Sequence, residues 1–247
     1  MRHCEEALRR SNPESIGERL QSGNPMLIIT TKDGSHSLFS EKYDEIYHSG
    51  NGAIQESAHV FVHSGFEYAL QAFGNKLRIF EVGFGTGLNA LLTVIEAKKQ
   101  EIDVYYETIE QYPVPIEVVK ELNYTAILEN EKYRPPFHSM HLSNWNTENS
   151  ISPYFLFKKN QADFLNFEMP TGAFHLIYFD AFAPENQPEM WTVEVIKKLN
   201  QALVPSGILV SYCSKSAFRK TLAEAGFMVE KLPGPPGKRE MVRAHKK

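Results

Sequence analysis

The most constraining feature of the sequence is a glycine-rich turn between an apolar strand and a helix. Leu77 to Val82 is a short apolar run, three glycines at alternate positions follow it, and a helical pattern begins at Leu88. Glycine lets the backbone turn tightly and approach a ligand closely, and the free N–H groups of the helix point at whatever lies there. The segment therefore predicts a ligand site at the first turn of a βαβ unit.

The spacing of the glycines narrows the choice of ligand. Gly83, Gly85 and Gly87 form G-x-G-x-G, which differs from the G-x-G-x-x-G of dinucleotide folds, and no Lys follows as in triphosphate-binding loops. Glu81, just before the first glycine, is an acid that can meet the cationic methionine end of S-adenosylmethionine. A glycine-rich turn that binds no ligand is the competing interpretation.

Strands and helices alternate after this turn. Helices of ten to fifteen residues between strands indicate a mostly parallel sheet with helices on both faces. Two final strand runs joined by a Pro/Gly loop indicate an antiparallel hairpin at one end. We expect a disordered extension over residues 1–25, a hairpin and helix over 26–75 that pack on the core, and a core over 76–247. The predicted strands cover 26–31, 37–39, 77–82, 104–109, 154–157, 175–179, 208–213, 227–231 and 241–244, and the predicted helices cover 54–72, 88–98, 114–122, 190–203 (closed by a loop at 205–207) and 215–225.

Composition excludes several classes of protein. No apolar run reaches eighteen residues, so no membrane span is predicted, and the N-terminus lacks the apolar segment of a secretory signal. Two cysteines, Cys4 and Cys213, are too few for a disulfide framework or a Cys-rich zinc site. Unpaired thiols fit a reducing compartment, and we expect a cytoplasmic protein.

Charge is distributed unevenly along the chain. From Cys213 to Lys247 there are nine Lys and Arg against three Glu, a net +6, so the overall charge of −4 leaves −10 for the first 212 residues. A basic segment on an acidic body can localise a polyanion on one face. A solvated helix followed by a charged tail explains the same pattern, and composition does not choose between them.

A second acid stands where a nucleoside-binding turn requires one. Glu110 follows the next predicted strand, so it lies at the same edge of the sheet as the glycines. A carboxylate in this position accepts hydrogen bonds from the hydroxyls of a ribose. The alternative is an exposed loop acid.

A third acid follows the strand at 175–179. Asp180 is delivered to the carboxyl edge of the sheet, where open α/β sheets bind ligands, and Phe182 and Pro184 come directly after it. Asp-x-aromatic-x-Pro has the same elements as the acidic/Asn-Pro-Pro-aromatic motif of enzymes that methylate planar amines. Its carboxylate can accept an N–H bond and aim the nitrogen lone pair, so we predict Asp180 as the catalytic residue.

These segments and several others identify a resemblance. The chain resembles the methyltransferase domain of the MnmC-type tRNA modification enzymes, in the family's order over about residues 26–245, whereas 101–151 matches only loosely. The Asp-x-Phe-Ala-Pro…Met-Trp and Lys-Arg-Glu-Met elements are quite specific to that family. The matching segments are 43–49, 55–61, 81–89, 179–191, 224–227 and 237–241.

The resemblance implies a fold, a cofactor and a reaction. The fold is the α/β, Rossmann-like fold of class I S-adenosylmethionine-dependent methyltransferases, with a small N-terminal β-rich extension. The reaction is methyl transfer to the side-chain amine of wobble 5-aminomethyl-2-thiouridine in the tRNA anticodon stem-loop, with Asp163 at the adenine edge. Predicted to bind the cofactor are Glu81, Gly83, Phe84, Gly85, Thr86, Gly87, Asn89, Glu110 and Asp163, and predicted to bind the substrate are Phe182, Pro184, Lys238 and Arg239.

One difference from the bifunctional relatives changes the expected activity. Those proteins continue into a flavin-dependent oxidoreductase domain, whereas this sequence ends at Lys247, so we expect methyl transfer only and no FAD. His59 and His63 lie four residues apart on a predicted helix but lack the adjacent Glu and third ligand of a zinc site, and we predict no metal. The alternatives are an N-methyltransferase for a small molecule or protein amine, a non-catalytic S-adenosylmethionine- or nucleotide-binding module, and a dinucleotide oxidoreductase, which the glycine spacing disfavours.

Overall fold

A small antiparallel sheet comes first in the computed structural model, which describes residues 26–247. It consists of β1 (Met26–Thr30), β2 (His36–Ser40) and β3 (Glu45–Ile46). The Asp33 carboxylate holds the turn after β1 by accepting hydrogen bonds from the backbone and the hydroxyl of Ser35. The predicted hairpin is confirmed, whereas the predicted extension over 1–25 lies outside the described residues.

A continuous helix over residues 53–73 follows this sheet. Its ends are α-helical, α1 (Ala53–Ser57) and α2 (Glu67–Phe73), and its middle, Ala58–Phe66, is a π-helix with wider turns. The exposed positions Gln55, His63 and Gln71 recur every eight residues. That interval is longer than the 7.2 residues of two α-helical turns. A helix was predicted here, but its π-helical middle was not.

The main sheet has eight strands in the order β10-β11-β9-β8-β4-β5-β7-β6. The five strands from β9 to β7 pair in parallel, whereas β6, β11 and β10 are antiparallel to their neighbours. The predicted mostly parallel sheet and C-terminal hairpin are confirmed. The strands are β4 (Lys76–Val82), β5 (Asp103–Glu110), β6 (Glu148–Ser152), β7 (Phe155–Gln161), β8 (Phe174–Phe179), β9 (Leu203–Ser211), β10 (Phe227–Pro233) and β11 (Glu240–Lys246).

Hydrophobic cores lie on both faces of this sheet. Successive strand residues alternate between them, so that Ile79 and Tyr178 join one core and Phe80 and Phe179 join the other. Six more helices pack on these faces: α3 (Leu88–Gln100), α4 (Ile116–Glu121), α5 (Tyr124–Ile127), α6 (Arg134–Leu142), α7 (Val193–Ala202) and α8 (Ser216–Glu224). The first core contains helix 53–73 and α3 to α6, and the second contains α7 and α8.

The strand order creates a crevice between β4 and β8. From β4 the chain builds outward through β5 to β7, and it then returns to the other side of β4 with β8 and β9. Connections leave in opposite directions at this point, which is where open α/β sheets bind their ligands. The topology therefore places the ends of β4 and β8, with Gly83 and Asp180, at the expected site.

Several element boundaries differ from the sequence prediction. The predicted helix 190–203 is a 3₁₀ turn (Pro188–Trp191) followed by α7, because Thr192 lies between them and caps α7 by accepting a bond from the Val195 N–H. Residues 205–207 were predicted as a loop, but they belong to β9, which begins at Leu203. Strand β6 was not predicted, because its sequence, ENSIS, is mostly polar. None of the helices within residues 26–247 is long and apolar enough to cross a membrane.

Candidate active site

Two strand ends meet closely at the crevice. The Asp180 N–H donates to the carbonyl of Val82 at 3.1 Å, which extends the pairing of β8 with β4 by one residue. Gly83 has a φ of +91°, and a Cβ there would lie 2.8 Å from the carbonyl oxygen of Asp180. Only glycine combines that conformation with such a close approach. The first glycine of the turn thus lets the glycine loop and Asp180 share one site.

A cavity of about 780 Å³ opens at this crevice. Its size falls within the range of small-molecule and cofactor sites. The glycine loop and the ends of β5 and β7 border one part of it, and the small N-terminal sheet, the loop after β8 and the β10–β11 loop border the rest. Of the residues predicted from the sequence, the cavity is lined by Gly83, Phe84, Gly85, Thr86, Asn89, Glu110, Asp163, Asp180, Phe182 and Lys238.

Glu110 is held at the end of β5 by two backbone donors. Gly85 N donates to one carboxylate oxygen at 3.0 Å and Tyr112 N to the other at 2.8 Å. Burial raises the pKa of Glu110 above its ordinary value, and these two bonds oppose that change. Each carboxylate oxygen has a second lone pair directed away from its donor. The side chain is thus oriented to accept two further hydrogen bonds, as the hydroxyls of a ribose require.

Asp163 lies on the cavity wall beyond β7. It caps a 3₁₀ turn, Phe164–Asn166, by accepting bonds from Leu165 N at 2.9 Å and from Asn166 Nδ2 at 3.1 Å. The structure therefore fixes this carboxylate on the same cavity as Glu110, and each of its oxygens keeps a second lone pair that can accept a further bond.

Asp180 is oriented by a side chain from α3. Asn89 Nδ2 donates to Asp180 Oδ2 at 2.8 Å, and Asn89 is itself buried. Burial raises the pKa of Asp180 to about 7, and the Asn89 bond opposes this rise. Glu56 and Glu45 raise this pKa further and Lys238 lowers it. A carboxyl group that titrates near neutral pH exchanges a proton more readily than an ordinary Asp with a pKa near 4.

Glu81 does not reach the cavity. Its side chain is completely buried beneath the glycine loop, where Thr108 Oγ1 donates to Oε2 at 2.8 Å. Burial raises the pKa of Glu81 to about 8, so the carboxyl is mostly neutral at pH 7. This placement does not fit the prediction that Glu81 meets a cationic methionine end, because an adjacent strand covers the side chain and the group is not charged.

The rest of the glycine loop divides between the cavity and the core. Phe84 lines the cavity and packs against the rings of His141 and Phe157. Thr86 also lines it, and its carbonyl accepts a bond from His141 Nε2 at 3.1 Å. Gly87 lies outside the lining, at the start of α3, where a Cβ would meet His141 Nε2 at 2.7 Å.

Aromatic side chains form a further wall of the cavity, next to the glycine loop, where a Cβ at Gly85 would lie 3.0 Å from the Tyr47 ring. Phe182 stacks on Tyr43 with ring centroids 4.5 Å apart and meets the edge of Tyr47 at 5.0 Å. Glu45 joins this wall to the loop after β8 by accepting a bond from Ala183 N at 3.0 Å. Only Phe182 was predicted as a site residue. The others belong to segment 43–49, which the family resemblance included without giving it a role.

Two residues predicted to bind the substrate lie away from the cavity wall. Pro184 and Arg239 are not among the residues that line the cavity, and Arg239 is exposed. Trp191, from the same family motif as Pro184, is a core residue buried between Phe179 and Phe218. No group of acids, histidines or cysteines within residues 26–247 is arranged to hold a metal ion.

Four of the nine basic residues of the C-terminal segment form ion pairs within the molecule. Lys215, Lys231, Lys238 and Arg243 pair with Glu185, Glu240, Glu56 and Glu230, respectively. Glu230 and Glu240 belong to the segment and are already counted in its net charge, so only the pairs of Lys215 and Lys238 reduce its excess of positive charge, from +6 to +4.

The cavity fits S-adenosylmethionine by several independent features. Gly83 and Gly85 line the cavity with backbone, Glu110 presents acceptors for a ribose, and Asn89 Oδ1 is a buried oxygen without a hydrogen-bond partner within residues 26–247. A nucleoside held between a glycine loop and the acid after the next strand is the binding mode of the Rossmann-like folds. Fold and cavity together define a Rossmann-like, class I S-adenosylmethionine-dependent methyltransferase.

Comparison with known proteins agrees with this class. The S-adenosyl-L-methionine-dependent methyltransferase family matches residues 161–247. MnmC2 from Aquifex aeolicus has a similar structure, with a TM-score of 0.70 and 25% sequence identity over 98% of this chain and 82% of that chain. Spermidine synthase from Thermotoga maritima shares the fold alone, with a TM-score of 0.57 and 11% identity over 90% of this chain and 68% of that chain.

Proteins of similar sequence match a longer part of this chain than residues 161–247. The bifunctional protein MnmC of tRNA 5-methylaminomethyl-2-thiouridine biosynthesis from Leptospira interrogans is 30% identical over 219 residues, 82% of this chain. This chain spans 33% of that protein's length. An uncharacterised protein of Methanocaldococcus jannaschii is 24% identical over 95% of this chain and 64% of its own length. Residues 161–247 thus match the S-adenosylmethionine-dependent methyltransferases, and most of the chain is similar to the MnmC proteins.

Proposed function

We propose that the protein transfers a methyl group from S-adenosylmethionine to the aminomethyl nitrogen of wobble 5-aminomethyl-(2-thio)uridine in tRNA. The product is 5-methylaminomethyl-(2-thio)uridine. The similarity to MnmC proteins supports the substrate, and the arrangement around Asp180 supports the chemistry. On this proposal the protein acts in the cytoplasm on the tRNA anticodon stem-loop, and its activity requires neither FAD nor a metal.

The part of the cavity around the glycine loop, Glu110 and Asp163 binds the cofactor and orients it. Glu110 holds the ribose hydroxyls, Asp163 faces the adenine edge, and the glycine loop lies along the remainder of the cofactor. S-adenosylmethionine supplies an electrophilic methyl group on its sulfonium. Such a displacement depends on alignment of the nitrogen with the methyl group, so rigid placement of the binding residues is the protein's main contribution.

Asp180 orients the amine and receives its proton. The nitrogen must be neutral to attack, and an unperturbed carboxylate with a pKa of about 4 is a poor acceptor for an ammonium proton. The pKa of Asp180, raised to about 7 by burial, brings the carboxylate closer to that task. Asn89 holds one oxygen, which leaves the other to accept an N–H of the substrate.

The aromatic wall suits a planar base. Phe182 lies two residues from Asp180, with Tyr43 and Tyr47 against it, so a uracil ring that enters beside them meets apolar faces while its aminomethyl group reaches Asp180. Stacking on aromatic side chains is the usual way proteins hold an unstacked nucleotide. Exposed Arg239 and Lys220 are the candidates for phosphate contacts.

The observation that carries the proposal is the Asp180 carboxylate, held by Asn89 at the junction of the glycine loop and the aromatic wall. The test is transfer of labelled methyl to tRNA that carries the aminomethyl wobble base. We expect Asp180→Asn to lower kcat by about 100-fold, within the usual range for loss of a positioned acid or base, while cofactor binding persists. Asp103→Asn is the matched control, because Asp103 is exposed at the opposite edge of the sheet.

Other outcomes separate the alternatives. Cofactor binding with no methyl transfer to this tRNA, but with transfer to a small amine or a protein, contradicts the tRNA substrate and retains the methyltransferase. Cofactor binding with no acceptor among these three classes favours a binding module. Full activity in Asp180→Asn contradicts the assigned role of Asp180.

A further inference from the structure

Lys238 lines the cavity, and 32% of its side chain is exposed. It lies in the loop between β10 and β11, its Nζ is 2.5 Å from Glu56 Oε1, and the same Nζ lies 4.2 Å from the centroid of the Tyr212 ring. Both Lys238 and Glu56 line the cavity. An ammonium between a carboxylate and an aromatic face has its favourable contacts within the molecule, so it is poorly placed for a nucleic-acid phosphate.

Glu56 is the group that needs this partner. Its side chain is 9% exposed, one oxygen meets Lys238, and the other accepts a bond from Ser49 N at 2.7 Å. A buried carboxylate without a cation is strongly destabilising, because the protein interior cannot replace the water it has lost. Lys238 therefore compensates a charge that the fold places at the cavity wall.

The loop that carries Lys238 is fixed by other contacts. A Cβ at Gly237, whose φ is +87°, would lie 2.0 Å from Asn51 Nδ2, and the carbonyl of Pro233 pairs with His59 Nε2 at 2.8 Å. The loop is thus packed on the start of helix 53–73. Tyr212, beneath the Lys238 ammonium, donates its hydroxyl to the carbonyl of Ala181 at 2.9 Å. One series of contacts therefore joins Lys238 to the residue after Asp180.

Charged and titratable groups reach Asp180 from every neighbouring element. Negative charge comes from Glu56 on α1 and Glu45 on β3, and Lys238 supplies the positive charge acting on it. The other titratable neighbours are Glu81 on β4, Tyr106 on β5 and Tyr212 after β9, whose pKa values are all raised and which are therefore mostly or wholly neutral at pH 7. After burial and the Asn89 hydrogen bond, Glu56 and Lys238 are therefore the charged groups that act most strongly on Asp180.

We infer that Lys238 is a positioning residue in the part of the cavity where the methyl-accepting substrate binds. By pairing with Glu56 over the Tyr212 ring, it offsets the negative charge beside Asp180 and holds the β10–β11 loop at the cavity wall. This inference rests on the proposed function for its kinetic consequence, though not for its electrostatic one. It replaces the prediction that Lys238 binds the substrate directly.

The electrostatic test does not require a substrate. The sequence contains five Asp residues, so labelling their side-chain carboxyl carbons gives five NMR signals, and Asp180→Asn identifies the signal of Asp180. We expect Lys238→Met to raise the pKa of this carboxyl by about one unit and Lys238→Arg to leave it nearly unchanged. Glu56→Gln lowers it, and the Lys238→Met/Glu56→Gln double variant returns it close to the wild-type value.

The kinetic test uses the pH profile of methyl transfer. Because one pKa unit corresponds to a factor of ten in ionisation, Lys238→Met should lose about tenfold in kcat/KM at pH 6 and little at pH 9, where Asp180 is ionised in both proteins. The double variant should recover the wild-type profile. Lys231→Met is the matched control, because Lys231 forms an exposed ion pair with Glu240 and does not line the cavity.

Two results overturn the inference. If Lys238→Met raises KM for tRNA, reduces its dependence on salt and leaves the pKa of Asp180 unchanged, Lys238 is a phosphate contact. If every variant of the pair loses activity equally at all pH values, the pair is only structural. If the wild type transfers no methyl to tRNA, the proposed function fails, and the NMR titration still decides the role of Lys238.

Discussion

Glu45 and Ala183 are joined across the cavity mouth: the Glu45 carboxylate, in the two-residue strand β3, accepts the backbone N–H of Ala183 at 3.0 Å. The same carboxylate oxygen accepts a bond from Asn186 Nδ2 at 3.0 Å. The small N-terminal sheet is thereby attached to the loop that begins with Asp180. This loop depends on a segment that is distant in sequence for part of its order.

Glu45→Ala should loosen that loop. We expect faster hydrogen exchange in the peptide that contains residues 181–187 and a decrease in kcat/KM of about 100-fold, the effect of losing two charge-assisted hydrogen bonds of about 1.5 kcal/mol each. Cofactor affinity should change little, because Glu45 joins the aromatic wall to the loop after β8 and is not among the residues predicted to bind the cofactor. Glu41→Ala, at an exposed position four residues earlier, is the control, and identical exchange in both variants would contradict the attachment.

Gly83→Ala should abolish cofactor binding. The new Cβ would lie 2.8 Å from the Asp180 carbonyl, and the φ of +91° is unfavourable for alanine. We expect a destabilisation of about 2–3 kcal/mol, measured by denaturant unfolding, and no measurable binding of S-adenosylmethionine by calorimetry. Gly74→Ala separates the two effects, since Gly74 has a similar φ of +80° but nothing within 4 Å. It should cost about 1 kcal/mol and leave binding intact.

Glu110→Gln should weaken the binding of the cofactor, and its NH₂ group would also face one of the two backbone N–H donors, Gly85 or Tyr112, that hold the carboxylate. An amide supplies one acceptor oxygen in place of two and carries no charge, so part of the bonding to a ribose is lost. We expect the dissociation constants of S-adenosylmethionine and S-adenosylhomocysteine to rise by about tenfold or more, in parallel. Glu117→Gln, an exposed change on α4, should have no effect. An unchanged affinity in Glu110→Gln would remove Glu110 from the cofactor site.

Glu81 should make the protein less stable as the pH rises. Its folded-state pKa of about 8 lies above the value of an unfolded Glu, so the folded state binds the extra proton. The stabilisation is complete below about pH 4 and is lost as the pH rises through 8, on the order of 5 kcal/mol in total. Glu81→Gln has no carboxyl to ionise at this position. The free energy of unfolding of the variant minus that of the wild type should therefore increase between pH 5 and pH 9. A constant difference would show that Glu81 is ionised in the folded state.

The sequence was sufficient for the parallel sheet, the C-terminal hairpin and the cofactor. Strong apolar periodicity and the G-x-G-x-G spacing are local signals, and local signals survive in any context. Strand β6 escaped prediction because ENSIS, at a sheet edge, carries little apolar pattern. The start of β9 was also missed, since Pro205 and Gly207 are typical of turns.

The part of the site where the methyl-accepting substrate is proposed to bind was harder to predict. Glu45, Glu56 and Tyr212 come from three separate parts of the chain, and only tertiary packing brings them to one cavity. Lys238 was predicted to bind the substrate, but its place in the sequence does not reveal a buried partner such as Glu56. Several residues predicted to bind the cofactor, by contrast, closely follow strands, where the fold class fixes their position.

The π-helical middle of helix 53–73 determines which side chains reach the cavity. Glu56 and Gly65 are nine residues apart, which is two and a half turns of an α-helix and would set them on opposite sides. In the structure both face inward: Glu56 lines the cavity, and a Cβ at Gly65 would lie 3.0 Å from Val210 of the sheet. A turn of π-helix contains more residues than a turn of α-helix, so nine residues make fewer turns here and the two positions face the same side. Deleting one residue within Ala58–Phe66 would rotate one end of the helix against the other, so the length of this segment is as much a part of the site as the residues it aligns.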